Sequence, residues 1–366
     1  MGIADREYIR NAPRSSGGIA SLRGWSFNTW LIVINIAVFL IGGIFFSGAG
    51  IPVVFKQTID PQYTGGQAYP GPMLSASGME IPDNAKLPLG AAVTRQLFDP
   101  ATSRPVGVEV LIVQDPLTAY GHFSTAKAFG GFEVWRFITF QFLHAGVTHL
   151  AFNIMGLWFV GGLVEQYLGA RRYAAFYLVC GICGALMYLA LNLIGYVLKY
   201  PMGSSLNIPG LLFDDRHTPL VGASAGIFGV MLAAAFIAPR ATVSIMGIIP
   251  MQMRTAVYLF VGIAAISLLI GTNNAGGEAA HLGGAIAGFY FIRHTHLLRD
   301  FFDVFNDSRR KGVRAKADSG PDSSRPTPND AEIDRILTKV KESGLHSLND
   351  GERTALRRGT ESRRRR

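Results

Sequence analysis

Residues 173–198 read YAAFYLVCGICGALMYLALNLIGYVL, 26 positions without one Asp, Glu, Lys or Arg. About 20 apolar residues are enough to cross the ~30 Å hydrocarbon layer of a bilayer, so this stretch reads as a membrane span. Five more apolar stretches flank it, at Thr29–Phe46, Leu150–Leu168, Ala223–Ala238, Ala256–Gly271 and Ala279–Ile292. The last three are short, and by hydropathy alone the final one also fits a re-entrant segment. Composition agrees with a membrane chain. Of 366 residues, 49% are hydrophobic and 16% charged, against about 25% charged in soluble proteins. The charges are uneven: 17 of the 34 Lys and Arg and 12 of the 25 Asp and Glu fall in residues 297–366. These numbers exclude an ordinary soluble globule and a disordered chain, and two cysteines exclude a disulfide scaffold.

Positive charge marks cytoplasmic ends. Arg6, Arg10, Arg14 and Arg23 precede the first stretch; Arg171 and Arg172 separate the second from the third; Arg240 and Arg254 separate the fourth from the fifth; Arg293 and Arg299 follow the sixth. These groups fall on alternate ends, which predicts six spans with both termini inside. The expected class is an all-α polytopic membrane protein. Residues 1–28 form a cytosolic lead before a retained anchor, longer and more charged than a usual signal-peptide start. Residues 29–296 form the membrane domain, 297–330 a linker and 331–366 a small basic helical tail. Met1-Gly2 carries no myristoylation signal, because position 6 is Arg.

The external segment between the first two stretches, about 51–114, is rich in Pro and Gly and reads as irregular. Only Val106–Val110 alternates like a strand, with room for a small hairpin. In the tail, Ile333, Ile336, Leu337 and Val340 recur at helical spacing, Gly344 stops that helix, and Ser347 is expected to cap another containing Leu356. Arg363–Arg366 fits either a solvated terminus or attraction to anionic lipid. Cys180 and Cys183 read as small apolar packers inside a span.

Polar side chains within spans are costly and mark function. The fourth stretch opens Gly222-Ala223-Ser224-Ala225-Gly226. Its glycines allow close approach to the hydroxyl, and the same small-xxx-small spacing also serves plain helix packing. His281 lies at the outer end of the sixth stretch, at the same depth as Ser224, followed by Gly284 and Gly288. A serine needs a base to become a nucleophile, and an imidazole suits neutral pH; a polar residue at an interface is the bland reading of His281. His149 and Asn153 are i and i+4 on one helix face, and both can donate to an oxyanion. His144 lies five residues before His149; a metal reading of the two lacks a carboxylate and places them about 140° apart on a helix.

Taken in order, Trp135-Arg136, His144, His149-x-x-x-Asn153, Gly161-Gly162-Leu163-Val164-Glu165, Gly222-Ala223-Ser224 and Ala280-His281-x-Gly283-Gly284-x-x-x-Gly288 resemble the rhomboid intramembrane serine proteases. The resemblance covers about Phe123 to Ile292 plus the first span. It implies a six-helix rhomboid-like bundle with a serine–histidine dyad and no third acidic member. Ser224 is the implied nucleophile, His281 the base, and His149 with Asn153 the oxyanion hole. Phe228 matches an aromatic position against the histidine, Trp135, Arg136 and Glu165 match structural motifs, and Gly284 and Gly288 match packing glycines. The tail from Ile333 to Arg358 looks like cytosolic segments appended to some bacterial members, which points to a bacterial cytoplasmic membrane. The long insertion and the tail depart from the common pattern.

The implied reaction is hydrolysis of a peptide bond in or beside a transmembrane helix. The substrates are single-span or polytopic membrane proteins, the surroundings are lipid, and no nucleic acid, metal or organic cofactor takes part. Two rivals differ in class. A rhomboid-fold protein that escorts clients without cutting would lack the serine or histidine. A transporter or channel would show charged pairs mid-membrane or inverted repeats. The closest approach is expected where Gly222 and Gly226 meet Gly284 and Gly288.

Overall fold

The computed structural model describes residues 24–46, 48–60, 62–63, 67–82, 84–199, 208–213, 216–245, 249–272, 274–298, 301 and 328–356. The leading arginines, Arg299, most of the linker and Arg363–Arg366 lie outside the described residues. Contacts divide the chain into two units, Met1–Phe302 and Asp303–Arg366.

In the first unit the apolar stretches are helices: α1 Phe27–Phe45, α2 Val147–Leu168, α3 Ala170–Lys199, α4 Ser224–Ile237, α5 Met253–Ile270 and α6 Ala275–Arg293. Four of them, α1, α2, α3 and α5, are long and apolar enough to cross a membrane. They turn large apolar side chains outward, among them Leu40, Trp158, Tyr258 and Ile266. Such surface is stable only against lipid, and the chain is an integral membrane protein. α4 is shorter, 14 residues, and nine of them are buried with no polar stripe, so it is the helix the others enclose. The sixth stretch is one continuous helix of 19 residues.

Hydrogen bonds tie the start of α1 to the second half of α2 and to the start of α3. A π-helical turn runs over Leu157–Gly161, and the Asn28 amide donates to the Leu157 carbonyl at 2.9 Å. Tyr173 donates its hydroxyl to Asn28 Oδ1 at 2.7 Å. Glu165 then accepts the backbone N–H groups of Phe27 and Asn28 at 2.7 and 2.8 Å. A carboxylate on the unsatisfied donors of a helix N-terminus is favoured by charge and hydrogen bonding together. Arg136, 1% exposed, performs the same service outside the bundle, donating to the carbonyls of Ala119 and His122 and pairing with Glu133. Trp135 is half exposed and donates its indole N–H to the Tyr120 carbonyl at 3.1 Å.

The all-α expectation is incomplete. Residues 51–114 form a four-stranded antiparallel sheet: β1 Ile51–Ile59, β2 Tyr69–Leu74, β3 Ala92–Phe98 and β4 Pro105–Gln114, in the order β1-β4-β3-β2. A two-residue period does run through β4, where Glu109, Leu111 and Val113 are buried, and through β3 at Val93 and Leu97. Glu109 is satisfied by Arg95 and by Gln57. The prolines that suggested irregular chain, Pro52, Pro70 and Pro72, sit on the two edge strands, where a missing N–H costs no ladder bond. The β1–β4 register shifts between Val54 and Lys56, so Phe55 is the extra residue of a bulge. A second hairpin, β5 Thr242–Ile245 with β6 Ile249–Gln252, joins α4 to α5.

In the second unit, α7 Pro328–Ser343 ends at Gly344, whose φ is +79°, and residues 350–356 are helical. Asn349, not Ser347, caps that last helix. Its side chain accepts from Glu352 N at 2.9 Å while Glu352 accepts from Asn349 N at 3.0 Å, a reciprocal pair that outcompetes a single serine. Ser347 instead donates to the Gly344 carbonyl.

Candidate active site

Ser224 is the first residue of α4. The chain enters through Gly222, with φ at +132°, whose N–H is held by the Phe140 carbonyl at 2.9 Å. A β-carbon at Gly222 would stand 2.8 Å from the His149 ring and 3.4 Å from Ser224 Oγ. Glycine is therefore required twice, for the backbone angle and for the space that lets His149 approach the hydroxyl.

His281 lies two turns into α6, and its Nε2 is 2.8 Å from Ser224 Oγ. Phe228, one turn after Ser224, stacks on the imidazole with centroids 4.2 Å apart and planes within 4°. The other ring nitrogen, Nδ1, is 3.0 Å from Glu278 Oε2, and the second Glu278 oxygen accepts from Asn274 Nδ2 at 3.3 Å. The resemblance implies no third, acidic member; here an i, i+3 spacing on α6 puts a carboxylate beside the ring.

His149 Nδ1 accepts the Ala145 N–H at 3.5 Å, which leaves the His149 proton on Nε2, the nitrogen nearest Gly222. Asn153, 5% exposed, spends one amide hydrogen on the His149 carbonyl at 3.0 Å and retains a second. His144 is buried with its ring edge to face with His149, centroids 5.2 Å apart. Burial, with the neighbouring His149 adding to it, pushes the His144 imidazole down to about 4. Among the described residues, no three His, Cys, Asp or Glu side chains converge as a metal site.

Ser224, His281, His149 and Asn153 line one cavity of about 1120 Å³. α2 contributes Phe152 and Gly156 to its wall and α5 contributes Val257 and Phe260. Phe55 and Lys56 of β1 complete it, and Thr218 Oγ1 donates to the Phe55 carbonyl at 3.3 Å. No sequence signal pointed to Phe55 or Lys56. Glu278 had one, its place three residues before His281.

The glycine seam differs in detail from the expectation. Gly284 packs against the backbone of Ala225, and Gly288 against Gly229. Gly226 instead meets Tyr177 of α3, and Gly222 meets His149. Ala225 and Gly229 are i and i+4 and share the face turned to α6; Gly226, about 100° further round, faces α3.

Residues 131–296 match the rhomboid domain. The rhomboid protease GluP of Bacillus subtilis (strain 168) is 30% identical over 159 residues, which is 43% of this chain and 25% of that protein. The rhomboid protease AarA of Providencia stuartii is 29% identical over 175 residues, 45% of this chain and 58% of its own length. The mitochondrial RHOMBOID-like protein 12 of Arabidopsis thaliana is 30% identical over 149 residues, 40% of this chain and 42% of its own. The matched part thus spans less than two thirds of each of these relatives. The domain match and these protease-named relatives together show that residues 131–296 of this chain are a rhomboid domain.

Proposed function

We propose that the protein is an intramembrane serine endopeptidase that cleaves membrane proteins in or beside a transmembrane helix. The observation that carries the reading is the 2.8 Å contact between Ser224 Oγ and His281 Nε2, inside a cavity that also holds His149 and Asn153. The protease names of GluP and AarA support the same activity.

In this reading Ser224 attacks the scissile carbonyl as Nε2 of His281 takes its proton. The tetrahedral oxyanion meets His149 Nε2–H, the remaining Asn153 amide hydrogen and backbone N–H groups at the start of α4. Each such donor contributes roughly 3–4 kcal/mol to the transition state. His281 returns the proton to the leaving amine, and water then hydrolyses the acyl-enzyme by the same route. A substrate helix hides its carbonyls in hydrogen bonds, so small or helix-breaking residues near the cut ease local unwinding. The reading keeps six crossings with both termini in the cytosol and the β1–β4 sheet outside. It keeps the domain limits 1–28, 29–296, 297–330 and 331–366, and the bacterial relatives support a bacterial cytoplasmic membrane.

The test is cleavage of a single-span reporter by the full chain in liposomes, followed on gels, beside Ser224→Ala and His281→Ala. Both variants should fold and neither should cut, because the two groups act as one unit. Cleavage by either variant at the wild-type rate would reject the assignment.

A further inference from the structure

We propose that Glu278 is a positioning residue for the reaction, the third member of a Glu278–His281–Ser224 chain. The proposal rests on the protease reading and adds to it. Three contacts define the pose of the imidazole. Phe228 fixes the plane of the ring from one face. Within that plane the ring could still rotate or flip, and the Glu278 carboxylate on Nδ1 at 3.0 Å decides which nitrogen meets Ser224. A carboxylate only accepts, so Nδ1 carries the proton and Nε2 presents its lone pair to the hydroxyl 2.8 Å away. The other tautomer would put a proton between Nε2 and Ser224 and disable the base.

Glu278 is itself held. Its second oxygen accepts from Asn274, and it stands in the first turn of α6, where the helix N-terminus favours negative charge. Its side chain is 18% exposed and that of His281 16%, so the pair is partly shielded from water and from its screening.

During acylation the Ser224 proton passes to Nε2, the Oγ–C bond forms, and the carbonyl π pair moves to oxygen. The imidazolium so formed is balanced by the Glu278 carboxylate, which takes no proton. When the C–N bond breaks, the Nε2 proton leaves with the amine, and the pair returns to its resting charges. Glu278 therefore acts on the barrier and leaves substrate affinity alone.

The experiment measures kcat and KM for the full chain in liposomes with a single-span reporter. In parallel it follows the rate at which a fluorophosphonate labels Ser224, and thermal melting. The variants are Glu278→Gln, which keeps shape and removes charge, Glu278→Asp, which keeps charge, and Glu278→Ala. Glu278→Gln should lower kcat and the labelling rate by about 10–100-fold at unchanged KM, less than the ~10⁴-fold known for a fully buried Asp in a serine-protease triad because this pair is partly hydrated. Glu278→Asp should exceed Glu278→Ala in kcat by about tenfold, a rescue that a purely structural role does not give; this comparison carries the test if Glu278→Gln does not fold. Wild-type kcat in Glu278→Gln, or equal kcat in the Asp and Ala variants, overturns the proposal and leaves the protease reading standing. A wild-type chain that neither cleaves nor labels overturns the protease reading and this proposal with it.

Discussion

Replacing Gly284 with alanine adds one methyl group at the tightest point between α4 and α6. That β-carbon would overlap the Ala225 carbonyl oxygen and stand 2.7 Å from its carbonyl carbon. Both are backbone atoms, so no side chain can swing away. Ordinary contact begins at 3.4 Å, and reaching it requires the helices to part by at least about 0.7 Å. Ala225 follows Ser224 directly, and Gly284 lies one turn beyond His281 on the same helix. The parting is thus passed to the Ser224–His281 contact, which lengthens from 2.8 Å to at least about 3.5 Å, the limit of a hydrogen bond. Misplacement by about 1 Å costs roughly 100-fold in rate, so kcat should fall by about 10–100-fold. Overpacking should destabilise the fold by about 1–3 kcal/mol. At Gly262, in the middle of α5, a β-carbon would meet nothing within 4 Å. Gly262→Ala is therefore the control, expected to keep kcat and gain up to about 1 kcal/mol from helix propensity. The assay is reporter cleavage with thermal melting in the same detergent. Wild-type kcat in Gly284→Ala would refute the idea that this backbone contact sets the distance between hydroxyl and imidazole.

Asn153→Ala should lower kcat roughly 10–1000-fold without abolishing cleavage, since one donor is lost while others remain; an unchanged rate removes Asn153 from the oxyanion hole. Truncation after Phe302 removes a separate unit and should leave reporter cleavage intact, and a folded but inactive truncation would show that the tail belongs to the working enzyme. Acid should weaken the fold from pH 6.5 downward. Burial holds His122 and His144 at about 4, against 6.5 for a free imidazole. Above pH 6.5 both rings are neutral in folded and unfolded chains; below it only the unfolded chain takes up protons, so stability drains until about pH 4. A melting temperature that stays flat between pH 7 and 5 would contradict this.

What the sequence reveals depends on how dense the signal is. An apolar run such as Tyr173–Leu198 carries its meaning at every position, and a helix lies on it, α3 extending only a few residues further. Ser224, His281, His149 and Asn153 each had a reason in residue type and depth, and the structure brings them to one cavity. Glu278 is three residues before His281, but a serine–histidine pattern reserves no place for an acid, so this spacing carries no meaning until the side chains are seen together. The β1–β4 sheet was masked by Pro52, Pro70, Pro72 and Gly71, residues that break a strand in isolation yet are tolerated on an edge. Gly226 shows a different limit. Spacing identifies a small face on a helix, but which neighbour fills it is settled by the packing of all six helices.

The sheet over residues 51–114 has two unlike margins. On β2, Pro70 and Pro72 offer rings where a partner strand would seek N–H groups. β1 is the opposite margin, bent by its bulge at Phe55, with one carbonyl already taken up by Thr218 and with Phe55 and Lys56 bordering the cavity that contains Ser224. Proline blunts both margins against further pairing, and the bulge adds to it on β1. Of the two margins, β1 is the one that brings its backbone, with Phe55 and Lys56, to the wall of the cavity that contains Ser224.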